Sequence, residues 1–225
     1  MDAALTAYRG GDPDACLIMD TDVGGSEEVP ASLFFRSVAE MGPVETAALA
    51  QARGRVFDLG AGAGAHALPL QSRGLTVTAA ELLPSGRAAM VEAGLDDVRA
   101  GGLDTVRSGE RFDTILVLMN GLGLAGSLAG LPTFLQGLAE VLAPGGQILA
   151  DSTDPRAWDD PDDGRYPGEV HMRLRFAGMA GPPFPFLFVD PDEAAAAAAA
   201  VGLAAEVVVG EDGGRFLLRV FRIPR

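Results

Sequence analysis

Cysteine is almost absent from this chain of 225 residues, which contains only Cys16. A single thiol cannot close a disulfide within the chain, and it cannot supply a thiolate framework for a metal ion. We therefore predict a protein without disulfides and without a metal centre. A reducing compartment, the cytoplasm, is the expected location.

Positively charged clusters and long apolar runs are missing as well. The formal net charge is -14, and no group of basic residues forms the kind of face that contacts phosphates in nucleic-acid-binding proteins. The N-terminus lacks the cationic start and apolar stretch of a signal peptide. The most apolar later run, which begins at Ala194, is too short and too weakly hydrophobic to span a bilayer. We expect neither a nucleic-acid partner nor a membrane partner.

Apolar residues are plentiful, at 48% of the chain, which is enough to bury the core of one large α/β domain. Helical and strand patterns alternate from residue 32 onward. Helices are predicted over SLFFRSVAEM, PVETAALAQA, GAHALPLQSRG, PSGRAAMVEAG and LPTFLQGLAEVLA, and strands over RVFDL, LTVTAAE, DDVRA, RFDTILVLM and QILADS. This alternation is typical of βαβ units, so the sequence predicts a largely parallel sheet.

The end of the chain departs from this alternation. A helix capped by Asp190, with Pro191 at its first position, precedes EVVVG and RFLLRVFRI, which read as a β-hairpin on an edge of the sheet. In the parallel part, the strands end at Asp58, Glu81, Asn120 and Asp151. Because ligands bind at the carboxyl ends of such strands, these four side chains are predicted to lie along the binding edge.

Three glycines, Gly60, Gly62 and Gly64, follow the first of these strands in the segment VFDLGAGAGAHAL. Such turns let backbone amides approach a cofactor, often a phosphate, and Glu81 lies where a dinucleotide enzyme holds its ribose. A NAD-dependent oxidoreductase is therefore one alternative. Asp58 opposes it, since a carboxylate is repelled by a nearby pyrophosphate. A cofactor with positive charge and no phosphate fits the aspartate better.

Four segments in this order resemble the class I S-adenosylmethionine-dependent methyltransferases over roughly residues 30–152. The run 58–64 matches the first motif, D-x-G-x-G-x-G, and Glu81 matches the acid after the second strand. FDTILVLMNG is similar to the fourth strand with its active-site loop, and LAPGGQILADS to the fifth strand. The resemblance implies a Rossmann-like three-layer sandwich, with a mostly parallel seven-stranded sheet, an antiparallel C-terminal hairpin strand, and S-adenosyl-L-methionine as cofactor.

The same resemblance implies the cofactor contacts. The glycine turn would wrap the methionine part, Glu81 would bind the ribose hydroxyls, and Leu82 would lie against the adenine. Where the family has an acid after its third strand this chain has Gly102, so the Leu103 amide would donate to the adenine ring and Asp104 would take the side-chain role at the adenine amine. The cofactor-binding residues are thus predicted to be Asp58, Gly60, Ala61, Gly62, Gly64, Glu81, Leu82, Gly102, Leu103 and Asn120.

The segment before the first motif also resembles small bacterial stand-alone enzymes of this class, through an F-F-R element and a glutamate. In that element Arg36 either pairs with Glu40 one turn later on a helix or reaches a carboxylate of cofactor or substrate. His66, one turn into the first helix of the core, is expected to pack locally and not to act as a catalytic base.

The acceptor is expected to be a small organic molecule with an oxygen or nitrogen nucleophile, methylated by in-line displacement. Residues 152–189 contain the aromatic material of a small-molecule pocket, in which Trp158 and Tyr166 either line the pocket or hold the loop. A hydroxyl acceptor would need a base, for which we single out His171, Asp154 and Tyr166. A non-catalytic S-adenosylmethionine-binding protein is a further alternative.

One strand of this segment, EVHMRLRFAG, alternates apolar residues with His171, Arg173 and Arg175. Its basic face is either solvated or directed at an acidic substrate. We expect one domain, 1–225, acting as a monomer or homodimer. It divides into a helical cover (1–53), a cofactor-binding core (54–151), a lid (152–189), and a closing helix with hairpin (190–225).

Overall fold

The computed structural model describes residues 1–158 and 164–223. The helices are α1 (Asp2–Arg9), α2 (Pro43–Gln51), α3 (Ala67–Ser72), α4 (Pro84–Glu92), α5 (Leu131–Glu140) and α6 (Pro191–Ala200). The strands are β1 (Cys16–Thr21), β2 (Ser26–Pro30), β3 (Arg55–Leu59), β4 (Thr76–Glu81), β5 (Asp97–Ala100), β6 (Phe112–Val117), β7 (Leu142–Thr153), β8 (Glu169–Phe176), β9 (Met179–Ala180), β10 (Phe184–Leu187), β11 (Leu203–Gly210) and β12 (Arg215–Arg222). Short 3₁₀ helices occupy Ala31–Phe35, Val38–Glu40, Leu103–Thr105, Gly121–Ala125 and Pro155–Ala157.

The larger sheet has seven strands in the order β11-β12-β7-β6-β3-β4-β5. Neighbours among β3 to β7 are parallel, whereas β12 runs antiparallel to both β7 and β11. The predicted α/β fold with a mostly parallel sheet and an antiparallel C-terminal hairpin is confirmed. The carboxyl ends of β3, β4, β6 and β7 meet at one edge, which we call the floor of the site.

Helices cover both faces of this sheet. One buried cluster includes Leu116 and Leu149 of the sheet with residues of α2 and α3, and the other includes Ile115 and Ile148 with residues of α5 and α6. Successive strand residues point to opposite faces of a sheet. Asp58 is two residues after Val56, and Asp151 two residues after Leu149, and both of these apolar residues belong to the first cluster. Asp58 and Asp151 therefore lie on the face that is covered by α2 and α3. This alternation brings polar groups from separate strands to one side of the floor.

A second, antiparallel sheet lies above the floor, and we call it the roof. Its order is β10-β8-β1-β2, with β9 also paired to β8. Leu17 and Val29 on its inner face pack on α1, and Phe186 approaches Gly123 so closely that a Cβ there would lie 2.2 Å from the ring. The roof therefore spans from α1 to the loop that follows β6.

The N-terminal part differs from the predicted helical cover. Residues 1–53 contain helices but also β1 and β2, which belong to the roof. SLFFRSVAEM does not form one helix either, because Arg36 and Ser37 are extended between two 3₁₀ helices. Extension lets the Arg36 side chain turn inward to a buried glutamate, and that ion pair outweighs the modest gain of continuing a helix.

The segment 152–189 was predicted to be a separate lid, but its strands belong to the same sheet as strands from the N-terminal part of the chain. Its strands β8 and β10 pair with each other, and β8 pairs with β1 from the opposite end of the chain. Two strands of the roof thus come from before the core and three from after it. The predicted α6 does begin as expected, since the Asp190 carboxylate accepts hydrogen bonds from the amides of Asp192 and Glu193.

Candidate active site

The glycine turn joins β3 to α3 in a conformation that side chains disfavour. Gly60, Gly62 and Gly64 have φ angles of 74°, 59° and 93°, in the left-handed region that glycine occupies at little cost. The amide of Gly60 donates to the Ala80 carbonyl of β4 at 2.9 Å. On the other side, a Cβ on Gly86 of α4 would lie 2.3 Å from the Gly62 carbonyl oxygen. The turn is therefore fixed from both sides, by β4 and by α4.

Asp58 lies at the end of β3 and is only 1% exposed. Its Oδ2 is buried without a hydrogen-bond partner among the described residues. Burial raises the pKa of this carboxyl to about 6, the charge on His66 lowers it, and the charge on Glu81 adds to the rise. An unpartnered buried carboxylate is costly. A ligand bearing positive charge would satisfy it, whereas a pyrophosphate would not.

Glu81 at the end of β4 faces the same turn. Its Oε2 accepts from the Gly62 amide at 2.7 Å and its Oε1 from the Leu83 amide at 2.7 Å. Each carboxylate oxygen retains a further lone pair, so two hydroxyl groups can still be bound. Leu82 beside it is 74% exposed, which leaves an apolar surface free to cover a planar ring. The structure thus brings together three parts of the predicted cofactor site.

The loop after β5 is arranged around its own backbone. The Asp104 Oδ1 accepts from the Gly102 amide at 2.8 Å, and the Thr105 hydroxyl donates to the Gly102 carbonyl at 2.6 Å. Leu103 packs partly buried against the core. Asp104 is therefore already engaged within the loop, and the contact to adenine assigned to this region stays a prediction.

The loop after β6 contains two non-glycine residues in the left-handed region, Met119 with φ 65° and Asn120 with φ 59°. The Asn120 Oδ1 accepts from the Thr153 hydroxyl at 2.9 Å. The next amide, that of Gly121, donates to the Asp151 Oδ1 at 3.2 Å. The loop is thereby tied to the end of β7, and Asn120 lies at the floor as predicted.

Beneath these loops lies a buried set of charged side chains that the sequence reasoning largely missed. Glu45 of α2 accepts from Arg36 and lies 2.6 Å from the His66 Nε2. Arg215 of β12 donates from Nε to the Asp151 Oδ2 at 2.6 Å. Its Nη2 is equally close to that oxygen but lacks hydrogen-bond geometry. The expected pairing of Arg36 with Glu40 is wrong, because Arg36 turns to the buried Glu45.

Burial opposes ionisation of Glu45. The hydrogen bond from His66, with the charges of His66, Arg36 and Arg215, outweighs burial and lowers its pKa to about 2. The only signal for Glu45 in the sequence was a glutamate ahead of the first motif. Nothing in the local pattern showed that Arg215 of the final hairpin would reach the same place.

The fold is shared with a solved relative. The chain is 34% identical to an S-adenosylmethionine-dependent methyltransferase from Bacteroides fragilis, solved in complex with S-adenosyl-L-homocysteine. The match covers 98% of this chain and 93% of that chain, with a TM-score of 0.88. This chain belongs to the S-adenosylmethionine-dependent methyltransferases. S-adenosyl-L-methionine is its cofactor, and the alternative of a nicotinamide cofactor falls away.

Other solved structures share the fold of this methyltransferase. DesVI from Streptomyces venezuelae is 18% identical, with 85% of this chain and 96% of that chain covered and a TM-score of 0.62. The sugar N-methyltransferase KedS8 from Streptoalloteichus is 20% identical, with 88% and 95% covered and a TM-score of 0.62. No protein-family model and no curated protein matches the chain. Within residues 1–158 and 164–223, no helix has the length and apolar character needed to cross a membrane.

The three side chains predicted as bases in this methyltransferase are each engaged by another group of the protein. His171 lies 3.2 Å from Asp22 and is 58% exposed. Tyr166 donates to the Asp190 carboxylate at 2.7 Å, and burial followed by that hydrogen bond raises the pKa of its hydroxyl. The hydrogen bond from Arg156 lowers the pKa of the Asp154 carboxyl. Each has a nearby partner, and their catalytic role stays a prediction.

The basic face of β8 is matched by acids of the methyltransferase itself. Arg175 binds Asp20 of β1 at 2.5 Å, and the His171 amide donates to Asp22. These residues point away from Met172 and Leu174 of the same strand, which lie on the inner face of the roof. These ion pairs favour the interpretation that the basic face of β8 is at the protein surface, and not that it is directed at an acidic substrate.

Aromatic residues of β10 and the loop after β7 form a continuous row. The ring centroids of Phe184 and Phe186 lie 6.5 Å apart, those of Phe186 and Phe188 5.2 Å, and those of Phe188 and Trp158 5.0 Å. We call these four residues the aromatic row. Trp158 is therefore part of a packed wall, whereas Tyr166 holds its loop to the start of α6. Residues 159–163, which belong to the predicted lid, lie outside the described residues.

Proposed function

We propose that this methyltransferase acts on a small organic acceptor that enters between the floor and the roof. The observation that carries the proposal is the buried Oδ2 of Asp58, which has no hydrogen-bond partner among the described residues and lies next to the glycine turn. When bound, S-adenosylmethionine supplies an electrophilic methyl group on a sulfonium. Asp58 would balance the positive charge of the cofactor, Glu81 would bind its ribose hydroxyls, and Leu82 would cover its adenine.

The inner face of the roof favours an acceptor with an apolar body. Direct cross-strand partners share a face of a sheet, so Met19, Leu174, Met172 and Phe184 form one surface. The aromatic row continues this surface toward the loop after β6. Apolar walls with a few polar groups are typical of small-molecule pockets. The residues 152–189 would serve as a lid only together with β1 and β2.

We further propose that an amine is methylated more readily than a hydroxyl. An amine can lose its proton before it reaches the site, so the protein need only align it and exclude water. A hydroxyl acceptor needs a base, and His171, Asp154 and Tyr166 are each engaged by other groups.

Two experiments test the proposal. Calorimetric titration with S-adenosylmethionine, S-adenosylhomocysteine and NAD should show binding of the first two and none of NAD. A methyl-release screen over small amines, phenols and carboxylic acids should then give turnover chiefly with amines that carry an apolar group. Binding without turnover in the whole screen would contradict the small-molecule proposal.

A matched pair of variants tests the place of the acceptor. Phe184→Ala removes a ring from the aromatic row, and we expect it to raise the KM of an acceptor found in the screen while S-adenosylhomocysteine affinity stays within about threefold. Pro182→Ala, in the exposed approach to β10, is the control and should leave both unchanged. An unchanged KM in Phe184→Ala would move the acceptor away from the roof.

A further inference from the structure

Glu45 is the carboxylate on which side chains from three separate segments converge. Its Oε1 accepts from Arg36 and lies 2.6 Å from the His66 Nε2, and its Oε2 lies 3.7 Å from the Arg215 Nη1. The Glu45 side chain is only 4% exposed and that of Arg36 only 6%. Buried charges are stable only when they are paired, so these groups depend on one another for their positions.

Two arms lead from Glu45 to the loop after β6. In the first, the Arg36 Nη1 lies 3.9 Å from the Met119 Sδ. In the second, Arg215 donates to the Asp151 Oδ2 at 2.6 Å, and the other oxygen of Asp151 accepts from the Gly121 amide at 3.2 Å. Both arms end within residues 119–121, which we call the β6 loop.

The β6 loop needs such support. Met119 and Asn120 both have positive φ angles, 65° and 59°, in a region that L residues with side chains seldom occupy. Strained backbone of this kind persists only where the surrounding structure fixes it, and it concentrates at functional sites. The loop follows the carboxyl end of a central strand, where ligands of this type of sheet bind.

We propose that Glu45 is a positioning residue that holds the β6 loop in its left-handed conformation through Arg36 on one side and through Arg215 and Asp151 on the other. The inference deepens the proposed function, because the β6 loop borders the space assigned to the acceptor. Glu45 itself is buried below the loop and has no part in binding either ligand.

The Met119 methyl group provides a direct readout of the loop. Protein labelled with [¹³C-methyl]methionine gives one signal per methionine, of which this chain has seven, and Met119→Leu identifies the signal of Met119. In Glu45→Gln, which keeps the shape of the side chain but removes its charge, we expect that signal to shift or broaden. The affinity for S-adenosylhomocysteine should stay within about fivefold, because the glycine turn and Glu81 do not contact Glu45.

Glu40→Gln is the matched control, since Glu40 lies in the same N-terminal segment but hydrogen-bonds to Ser37 and to no other described residue. It should leave the Met119 signal in place. Spectra are compared well below the unfolding temperature of each variant, so that a change in global stability alone does not move the signal. If Glu45→Gln does not fold, Arg215→Lys breaks the second arm while keeping its charge, and the same shift is expected.

An unmoved Met119 signal in either folded variant would overturn the inference. Loss of S-adenosylhomocysteine binding with an unmoved signal would also overturn it, because Glu45 would then act on the cofactor site. If the unmodified protein bound neither S-adenosylmethionine nor S-adenosylhomocysteine, the proposed function would fail. The comparison of Met119 signals without ligand would still test the role of Glu45.

Discussion

The floor and the roof of the site are built in different ways. The floor comes from strands within residues 55–153, each followed by a short loop, and it carries buried charges such as Asp58 and Glu81. The roof joins strands from both ends of the chain, and its ion pair between Asp20 and Arg175 links residues 155 positions apart at the surface. The comparison indicates that the floor is built from local sequence, whereas the roof depends on long-range strand pairing.

Loss of the ribose-binding carboxylate should give the largest effect on the floor. Glu81→Ala is expected to weaken S-adenosylhomocysteine binding by about 1.5 to 3 kcal/mol, the range for hydrogen bonds to a charged group, which is roughly 10- to 150-fold in Kd. Calorimetric titration measures the change. Glu28→Ala on the outer face of the exposed edge strand of the roof is the control and should bind as the unmodified protein does. Equal affinity in the two variants would remove Glu81 from the cofactor site.

Asp58 should lower the free energy of unfolding of the protein and strengthen its binding of the cofactor. Its pKa is raised from 3.8 to about 6, so the folded state holds the proton more tightly, and stability is lost as the pH rises from about 4 to 6. A rise of that size sets an upper limit of about 3 kcal/mol on the loss of stability. Asp58→Asn should therefore unfold at higher denaturant concentration than the unmodified protein at pH 7.5, with little difference at pH 4, and should bind S-adenosylmethionine more weakly.

Asp20 of the roof is a carboxylate whose contribution to stability should change with pH in the opposite direction. The hydrogen bond from Arg175, followed by that from Ser26, lowers its pKa to about 2, so its contribution is present above about pH 4 and lost as the pH falls toward 2. Asp20→Asn should thus lower the denaturation midpoint at pH 7.5, by a small amount because the pair is exposed. Parallel pH trends in the two variants would contradict the contrast between floor and roof.

The contact between floor and roof can be disturbed at Gly123. A Cβ there would lie 2.2 Å from the Phe186 ring, so Gly123→Ala should displace the ring and reduce the free energy of unfolding by about 1 to 3 kcal/mol, as overpacking does. Gly181→Ala is the control, since its nearest atom would be 3.6 Å away. Denaturant titration compares the two, and an equal midpoint would show that the contact is easily relieved.

The smallest effect is expected at His171, which is 58% exposed. His171→Ala should leave S-adenosylhomocysteine affinity within about twofold and the unfolding temperature within about 2 °C, as for other surface substitutions. With an amine acceptor we also expect transfer within about threefold. A pH-dependent loss of transfer confined to hydroxyl acceptors would instead support the predicted role of His171 as a base.

Much of the floor could be predicted from sequence because its signals are local. Gly60, Gly62 and Gly64 are required by positive φ angles within one turn, and Asp58 and Glu81 end strands that a few β-branched and apolar residues specify. Asn120 was placed at the edge of the sheet by the apolar strand before it. Each of these inferences needed only a short window of sequence and the rule that parallel strands share a binding edge.

The roof and the charges beneath the floor could not be predicted in this way. The acidic strand β2 has four exposed residues of five and no apolar alternation, so it acquires its conformation only by pairing with β1. The local pattern predicts that a helix continues through Arg36, whereas in the structure Arg36 is extended and its side chain forms a buried ion pair with Glu45. Arg215, assigned to the final hairpin, reaches a glutamate 170 positions earlier in the chain because β12 pairs with β7.

The sequence by itself therefore determined the cofactor edge of this methyltransferase: a strand, a glycine turn that only glycine adopts without strain, and two acids at strand ends. Only the tertiary structure decided which charges are paired and which is left unpaired. Burial makes an unpartnered carboxylate costly wherever it occurs. Partners for Glu45 come from distant segments, while the Asp58 Oδ2 has none among the described residues. That difference in surroundings, invisible in the local sequence, separates a positioning carboxylate from one available to the cofactor.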